Sequence, residues 1–348
     1  MERFRSLCAV LALVAFDAPA RAQTPGPTAA SARAVPLKAR PAGGMFVFGL
    51  AAGPPWTTEF AAAGELAAMA SARQEEGPHG ETGPRIAPLV SDAGDRNVSD
   101  LLANPTTDLA IISLPTLDRA ARERPGVAAR VGYVAPLYPQ EVHIVARRSV
   151  ASLDALKGKR VAVGPPGGVG SILFQNLGIA VQALDTPVDK ALDDLGPGDL
   201  EAVVVVSGKP VQILANIGRE RDLHILPVSY ADGLENAFVP ARLAARDYKG
   251  LMEADAPTVA VQSVLVAYLW PQWTERARLQ AVLVSGILDS ASKPSPGRGV
   301  AKLDEVNWAA TLPGWRRLDA AEQWLQAHRP KPPVPQNANA AKTQGIRR

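Results

Sequence analysis

Short aliphatic runs, each ended by glycine, proline or a small polar residue, recur along the chain and alternate with stretches of helical spacing. Residues 45–50 (Met-Phe-Val-Phe-Gly-Leu), 85–90, 108–113 (Asp-Leu-Ala-Ile-Ile-Ser) and 202–206 (Ala-Val-Val-Val-Val) have the length and β-branched content of buried strands. Residues 131–137 lead through Tyr138, Pro139 and Gln140 into an alternating strand at 141–146, and 223–228 and 255–266 read as further β segments. Helical spacing appears between them. Phe60, Leu66 and Met69 share one side of a helix capped by Thr57 or Thr58, and a short helix starts over 97–102. Val211, Leu214 and Ile217 share another helical face. Two helices close the sequence, at 274–289 and 320–328, with Trp308, Trp315 and Trp324 around the second. Strand, helix, strand at this rhythm predicts an α/β fold with an open sheet, whose ligand sits at the C-terminal ends of the strands.

The most informative stretch is 153–171. Residues 159–163 read as a buried strand started by Gly158, and Gly164-Pro165-Pro166-Gly167-Gly168 stops it. Ile172, Leu173, Phe174 and Leu177 resume with helical spacing, so Gly170 and Ser171 sit near a helix start. Strand, glycine-rich loop and helix N-terminus direct backbone N–H groups at an anion. Spacing excludes three reactive versions of such a loop. Val169 and Gly170 stand where a P-loop needs Gly and Lys. Leu173 replaces the third glycine of a dinucleotide fingerprint, and Val169 and Leu173 replace the glycines of a nucleophile elbow around Ser171. What remains is a loop that holds a carboxylate or other small anion without reacting with it, or a tight structural turn.

Composition adds compartment and limits. The 348 residues are enough for two domains or one two-lobed domain. With 47% hydrophobic and 5% aromatic residues, the core must be aliphatic. A formal charge of +3 is too small and too scattered to point to nucleic acid. Residues 1–22 read as a signal peptide: Arg3 and Arg5, an apolar stretch over 7–16 too short to span a bilayer, and the Ala20-Arg21-Ala22 cleavage site. Gln23 is the expected mature start, with a flexible linker over 23–43 and a disordered tail over 330–348. The lone cysteine, Cys8, lies inside the signal, so the mature chain has no thiol for a disulfide, a metal or nucleophilic catalysis. Periplasm is the expected location.

Several segments together resemble the TAXI family, the solute-binding receptors associated with some TRAP transporters. They are Asp108 to Ser113, Ala135-Pro-Leu-Tyr-Pro-Gln-Glu-Val-His-Ile-Val-Ala-Arg147, Asp154-Ala-Leu-Lys-Gly-Lys-Arg-Val-Ala-Val-Gly-Pro-Pro-Gly-Gly-Val-Gly170, Val204-Val-Val-Ser-Gly-Lys-Pro210, Leu223 to Pro227, Pro257 to Val261, and Asn307 to Trp315. The likeness runs from about Gly44 to His328. It implies a type II periplasmic-binding-protein-like fold, two α/β lobes joined by a two-strand hinge that close on a ligand. Lobe 1 is then 44–139 plus 263–329 and lobe 2 is 140–262, with hinges near 137–140 and 259–263. One place departs from the family: its glycine-rich first loop, with a hydroxyl and two tyrosines, here reads Ala51-Ala-Gly-Pro-Pro-Trp56-Thr57. Two prolines remove N–H donors from a loop that would hold an amino-acid-like ligand.

The expected ligand-binding residues are Gly53, Trp56, Thr57, Ser113 and Thr116 from lobe 1, with Pro166, Gly167, Gly168, Gly170, Ser171, Ser207, Gly208 and Lys209 from lobe 2. Lys209 would meet a ligand carboxylate. Glu141 and His143, alternating near a hinge, are expected to act structurally or between lobes. His79, His143, His224 and His328 lack the spacing of a metal site, Asp193-Asp194 read as solvated, and no nucleophile–base pair is visible, so neither an enzyme nor a cofactor is expected. The reading is a monomeric periplasmic solute-binding protein that captures a small anionic, carboxylate-type solute and delivers it to a TRAP membrane permease of the 4TM–12TM type. The alternative is a ligand-sensing or assembly protein of the same fold. A neighbouring permease gene would favour the first and a histidine kinase gene the second.

Overall fold

One strand order, used twice, makes the sheet. The computed structural model describes residues 46–72, 83–195, 200–293 and 299–328; the expected signal peptide with Cys8, the expected linker over 23–43, His79 and the expected tail over 330–348 lie outside the described residues. The first run is β1 (Val47–Gly53), α1 (Thr58–Ser71), β2 (Arg85–Val90), α2 (Gly94–Ala103), β3 (Thr107–Ser113), α3 (Leu114–Glu123) and α4 (Val127–Arg130). After the long β4 (Val131–Arg147) come β5 (Arg160–Ala162), α5 (Val169–Asn176), β6 (Gln182–Leu184), α6 (Val188–Asp194), β7 (Ala202–Ser207) and α7 (Gln212–Ala215). Then follow β8 (Leu223–Leu226), β9 (Val239–Leu243), β10 (Ala256–Tyr268), α8 (Glu275–Ala291) and α9 (Asp319–Ala327).

In the first half β2, β1 and β3 run parallel, β10 lies antiparallel beside β3, and β4 beside β10. In the second half β6, β5 and β7 run parallel, β4 lies antiparallel beside β7, and β8 beside β4. Each half therefore borrows one long strand from the other. β4 pairs with β10 up to Glu141 and with β7 from Glu141 to Ala146. β10 pairs with β9 up to Ala260 and with β3 from Ser263. Pro139 is tolerated inside β4 because it lies where the β4–β10 register shifts, between Gln262 and Val264. These are two α/β lobes bridged by two strands.

The central strands are buried on both faces, so their apolar runs are continuous and the period of two sorts them between layers. Leu109 and Ile111 face α1, α8 and α9, while Ala110 and Ile112 face α2 and α3. In the second lobe Val204 joins the Phe174 side and Val203 and Val205 the Tyr248 side. A buried acid of the first lobe, Asp108, is held at once by charge and shape. Asp108 accepts two hydrogen bonds from the Arg276 guanidinium of α8, which lies over the rings of Phe48 and Trp270 at 4.8 and 5.1 Å.

The predicted strands and the two last helices appear with ends moved by one to three residues. α3 differs outright. No helix is expected from the sequence after the 108–113 strand, yet Leu114 opens one directly, and Pro115 falls in its first turn, where a missing N–H is harmless. β6 and β9 carry no hydrophobic run, and their exposed residues left the pattern silent.

Candidate functional site

The C-terminal ends of all six parallel strands converge on one cavity of ≈ 920 Å³ between the lobes. β1 delivers Pro54, Pro55, Trp56, Thr57 and Glu59; β2 delivers Ser91 to Arg96; β3 delivers Ser113 and Thr116. Across the cleft, β5 delivers Gly164, Pro165, Pro166, Gly168 and Gly170, β6 delivers Asp185 to Asp189, and β7 contributes Val204 and Val206. Gln140 of β4 also lines it, where that strand passes from one lobe to the other.

The glycine-rich loop after β5 has a packing reason as well as a chemical one. A Cβ on Gly170 would stand 2.3 Å from the Val163 carbonyl oxygen, so only glycine lets α5 start this close to its strand. Gly168 N–H turns back to Pro165 O at 2.9 Å, which leaves the N–H groups of Val169, Gly170 and Ser171 as first-turn donors without intrahelical acceptors. On the opposite lip, the Ser113 hydroxyl donates to Thr116 at 2.9 Å. The ionisable lining residues are Glu59, Asp92, Asp95, Asp185 and Asp189 against a single cation, Arg96. Arg96 itself lies 3.4 Å from Asp100, and Asp95 is bound by Arg124. The cavity is therefore acidic.

Beside the cavity the lobes are stitched together. Glu59, in the first turn of α1, is buried, and both of its oxygens are used. The Ser207 hydroxyl donates to Oε2 at 2.6 Å and the Gly208 N–H donates to Oε1 at 3.1 Å. Ser207 in turn accepts from the Thr58 N–H at 3.1 Å, and the Thr58 hydroxyl donates to the Gly208 carbonyl. Burial pushes the Glu59 carboxyl above its usual range, against the lowering effect of these hydrogen bonds and one from Gln140. Glu141, also buried, accepts from Lys302 Nζ at 2.8 Å on each oxygen and from the Lys209 N–H at 2.9 Å. The phenol of Tyr138, beside them, is raised first by burial and then by the charges of Glu59 and Glu141.

A second buried relay runs deeper in the second lobe. Val211 N–H donates to Tyr248 Oη, which lies 2.8 Å from His143 Nε2, and His143 Nδ1 faces the Val205 carbonyl at 3.3 Å. That sequence needs a neutral imidazole protonated on Nδ1. Burial drives His143 down to about 4.

Of the expected site residues, Trp56, Thr57, Ser113, Thr116, Pro166, Gly168 and Gly170 line the cavity; Gly53, Gly167, Ser171, Ser207, Gly208 and Lys209 are not among its lining residues. The Thr57 hydroxyl is already used, donating to Pro54 O at 2.7 Å and accepting from the Phe60 N–H as the α1 cap. Ser207 and Gly208 belong to the seam instead. The Lys209 ammonium, expected on a ligand carboxylate, here reaches the Arg242 carbonyl and stands 3.7 Å from Glu141. Gly167 is covered from the first lobe by the Arg119 guanidinium of α3. Glu59, Gln140, the loop after β2 and the loop after β6 were not foreseen. The strand-end rule would have found the first loop, since β2 was predicted; the short exposed β6 gave no signal for the second.

Strand order, two bridging strands and an interlobe cavity define a two-lobed α/β protein of the type II periplasmic-binding fold. The chain belongs to the NMT1-like family, whose sequence profile matches residues 50–269. No curated protein matches it. Among solved structures, MatC from Rhodopseudomonas palustris with bound malate is 18% identical, over 81% of this chain and 95% of its own, with a TM-score of 0.45. A mutant of ArgBP from T. maritima is also 18% identical, covering 71% and 89%, with a TM-score of 0.41. Protein AF1704 from Archaeoglobus fulgidus is 10% identical, covering 81% and 97%, with a TM-score of 0.42. Among the described residues no helix is long and apolar enough to cross a membrane, and no group of three or more His, Cys, Asp or Glu could hold a metal ion.

Proposed function

We propose that the protein is an exported periplasmic receptor that captures a small carboxylate-bearing solute between its lobes and hands it to a membrane permease of the TRAP type, as the TAXI resemblance implies. Lobe 1 is taken as 44–139 plus 263–329 and lobe 2 as 140–262. The observation that carries the reading is the ≈ 920 Å³ cavity at the C-terminal ends of all six parallel strands, of a size that suits a small molecule. The first turn of α5, with the Val169, Gly170 and Ser171 N–H groups, would take the carboxylate. Ser113 and Thr116 would face it from the other lobe. Five lining carboxylates disfavour a solute with several negative charges, so one carboxylate on a polar body suits the cavity best. Trp56 at the lining gives the test an optical readout. Addition of a bound solute should change the tryptophan emission of the chain from Gln23 onward. Trp56→Phe should keep the calorimetric binding and lose most of that change. Emission and heat that stay flat for small carboxylates of every length would refute the receptor reading.

A further inference from the structure

Two residues at the end of β7 and two at the start of α1 tie the second lobe to the first through protein groups alone. Gly208 is the centre of this contact. A Cβ there would stand 3.0 Å from Thr58 Cγ2, 3.1 Å from Lys302 Cδ and 3.1 Å from Tyr138 Cε2. Only glycine lets the end of β7 come this close to the first lobe. The Gly208 backbone then bonds across the gap on both sides: its N–H donates to Glu59 Oε1 at 3.1 Å, and its carbonyl accepts from the Thr58 hydroxyl. Ser207 adds two bonds, donating to Glu59 Oε2 at 2.6 Å and accepting from the Thr58 N–H at 3.1 Å. Glu59 and Ser207 are 3% and 0% exposed, so water does not compete for these partners. The lobes meet again at the glycine-rich loop. The Arg119 guanidinium of α3 covers Gly167 with no room for a Cβ, and a Cβ on Gly94 would lie 3.2 Å from Pro165 Cγ.

We propose that the contact around Gly208 is a latch: it holds the two lobes together by itself, the protein rests closed, and entry to the interlobe cavity requires the latch to part. Each contact joins protein to protein, so closure does not wait for a solute to bridge the lobes. The open form is the minor one, and whatever enters the cavity draws on that population. Glu141 sits where β4 changes partners, so its bonds to Lys302 lie at the crossing of the lobes and serve as the pivot. The latch goes beyond the receptor reading and does not depend on it.

The test needs no ligand. The chain from Gln23 onward has no cysteine, so Arg122→Cys on α3 and Gln175→Cys on α5, both exposed, take one nitroxide label each. Double electron–electron resonance without added solute should give this labelled parent one narrow distance distribution. Gly208→Val places three carbons where a single Cβ is already tight, and the backbone there is outside the left-handed region, so the added volume acts as a wedge. It should move most molecules to a second, longer distance. Ser207→Ala removes two of the four bonds without adding volume and should move a smaller share the same way. A cooperative melt of each variant separates opening from unfolding, and Ser207→Ala decides alone if Gly208→Val does not fold. A labelled parent that already shows a second, longer distance, or a distribution unchanged in every folded variant, overturns the latch and leaves the receptor reading standing.

Discussion

The seam and the cavity are built from adjoining residues of the same strands, yet their polar groups end differently. In the seam each buried acid has two partners: Glu59 takes Ser207 and Gly208 at the end of β7, and Glu141 takes Lys302 and the Lys209 N–H. Such a set is dry, specific in geometry and indifferent to solute. In the cavity Asp92, Asp185 and Asp189 are exposed lining acids, and the first-turn N–H groups of α5 have no intrahelical acceptor. The contrast teaches how to separate holding from binding in a two-lobed fold. A buried acid with its full set of partners fixes the lobes, whereas an incomplete polar group is not by itself a mark of the site, since Tyr138 Oη beside the seam also lacks a partner among the described residues.

The largest expected effect falls on the seam. Lys302→Met leaves Glu141 buried without its main cation and should cost about 3 kcal/mol in urea denaturation, the low end for a broken buried pair because Lys209 remains nearby. A loss below about 1 kcal/mol would place Glu141 with ordinary surface pairs.

Next come two pH limbs of opposite sign. His143 has a folded value near 4, below its ordinary 6.5. The unfolded chain therefore takes up the proton first, and the protein loses stability as pH falls from about 6.5 towards 4, by up to about 3 kcal/mol. His143→Gln should flatten that limb; an unchanged slope would mean that other groups produce it. Glu59 is raised, so the folded state binds its proton more tightly than the unfolded one. Its contribution is full below the ordinary carboxyl value of 4.5 and is lost as pH rises through the folded value. Glu59→Gln should remove this loss, visible at constant ionic strength as a smaller fall in melting midpoint as pH rises above 4.5; an unchanged fall would mean that other groups produce it.

The smallest effect on stability should come from the cavity rim. Asp185→Asn and Asp189→Asn should each stay within about 0.5 kcal/mol of the parent in the same denaturation experiment. A loss above about 1 kcal/mol would show that the rim is part of the frame and that the contrast between the two regions is false.

Much of this frame was legible. Ala202 to Val206, Asp108 to Ser113 and the 141–146 alternation name strands buried on both faces, and the loop after residue 163 names a helix start that cannot be a P-loop or an elbow. The borrowed strands are legible only as length. Nothing local in Val131–Arg147 says that one strand serves two lobes, because partner exchange at Glu141 is a property of neighbours distant in sequence; the hinges near 137–140 and 259–263 follow from the family resemblance alone. The site was read through loops next to strong strands; of the residues so named, Trp56, Ser113 and Gly168 line the cavity, whereas Ser207 and Lys209 are not among its lining residues. Those two follow the most apolar strand, yet Glu59 and Glu141 claim them, and an acid in the first turn of a helix reads from sequence as a solvated dipole partner. Gln140 is hidden for a similar reason: in a strand, a lone polar residue beside a proline reads as an edge.

The most direct test of the central claim, that the interlobe cavity is a solute site, is the melting midpoint of the chain from Gln23 onward across a panel of small monocarboxylates, dicarboxylates, amino acids, phosphate and sulfate. A bound solute at a hundred times its Kd should stabilise by about 2.7 kcal/mol, which is a rise of a few degrees confined to one chemical class. A cooperative melt whose midpoint stays fixed across the whole panel would contradict the claim.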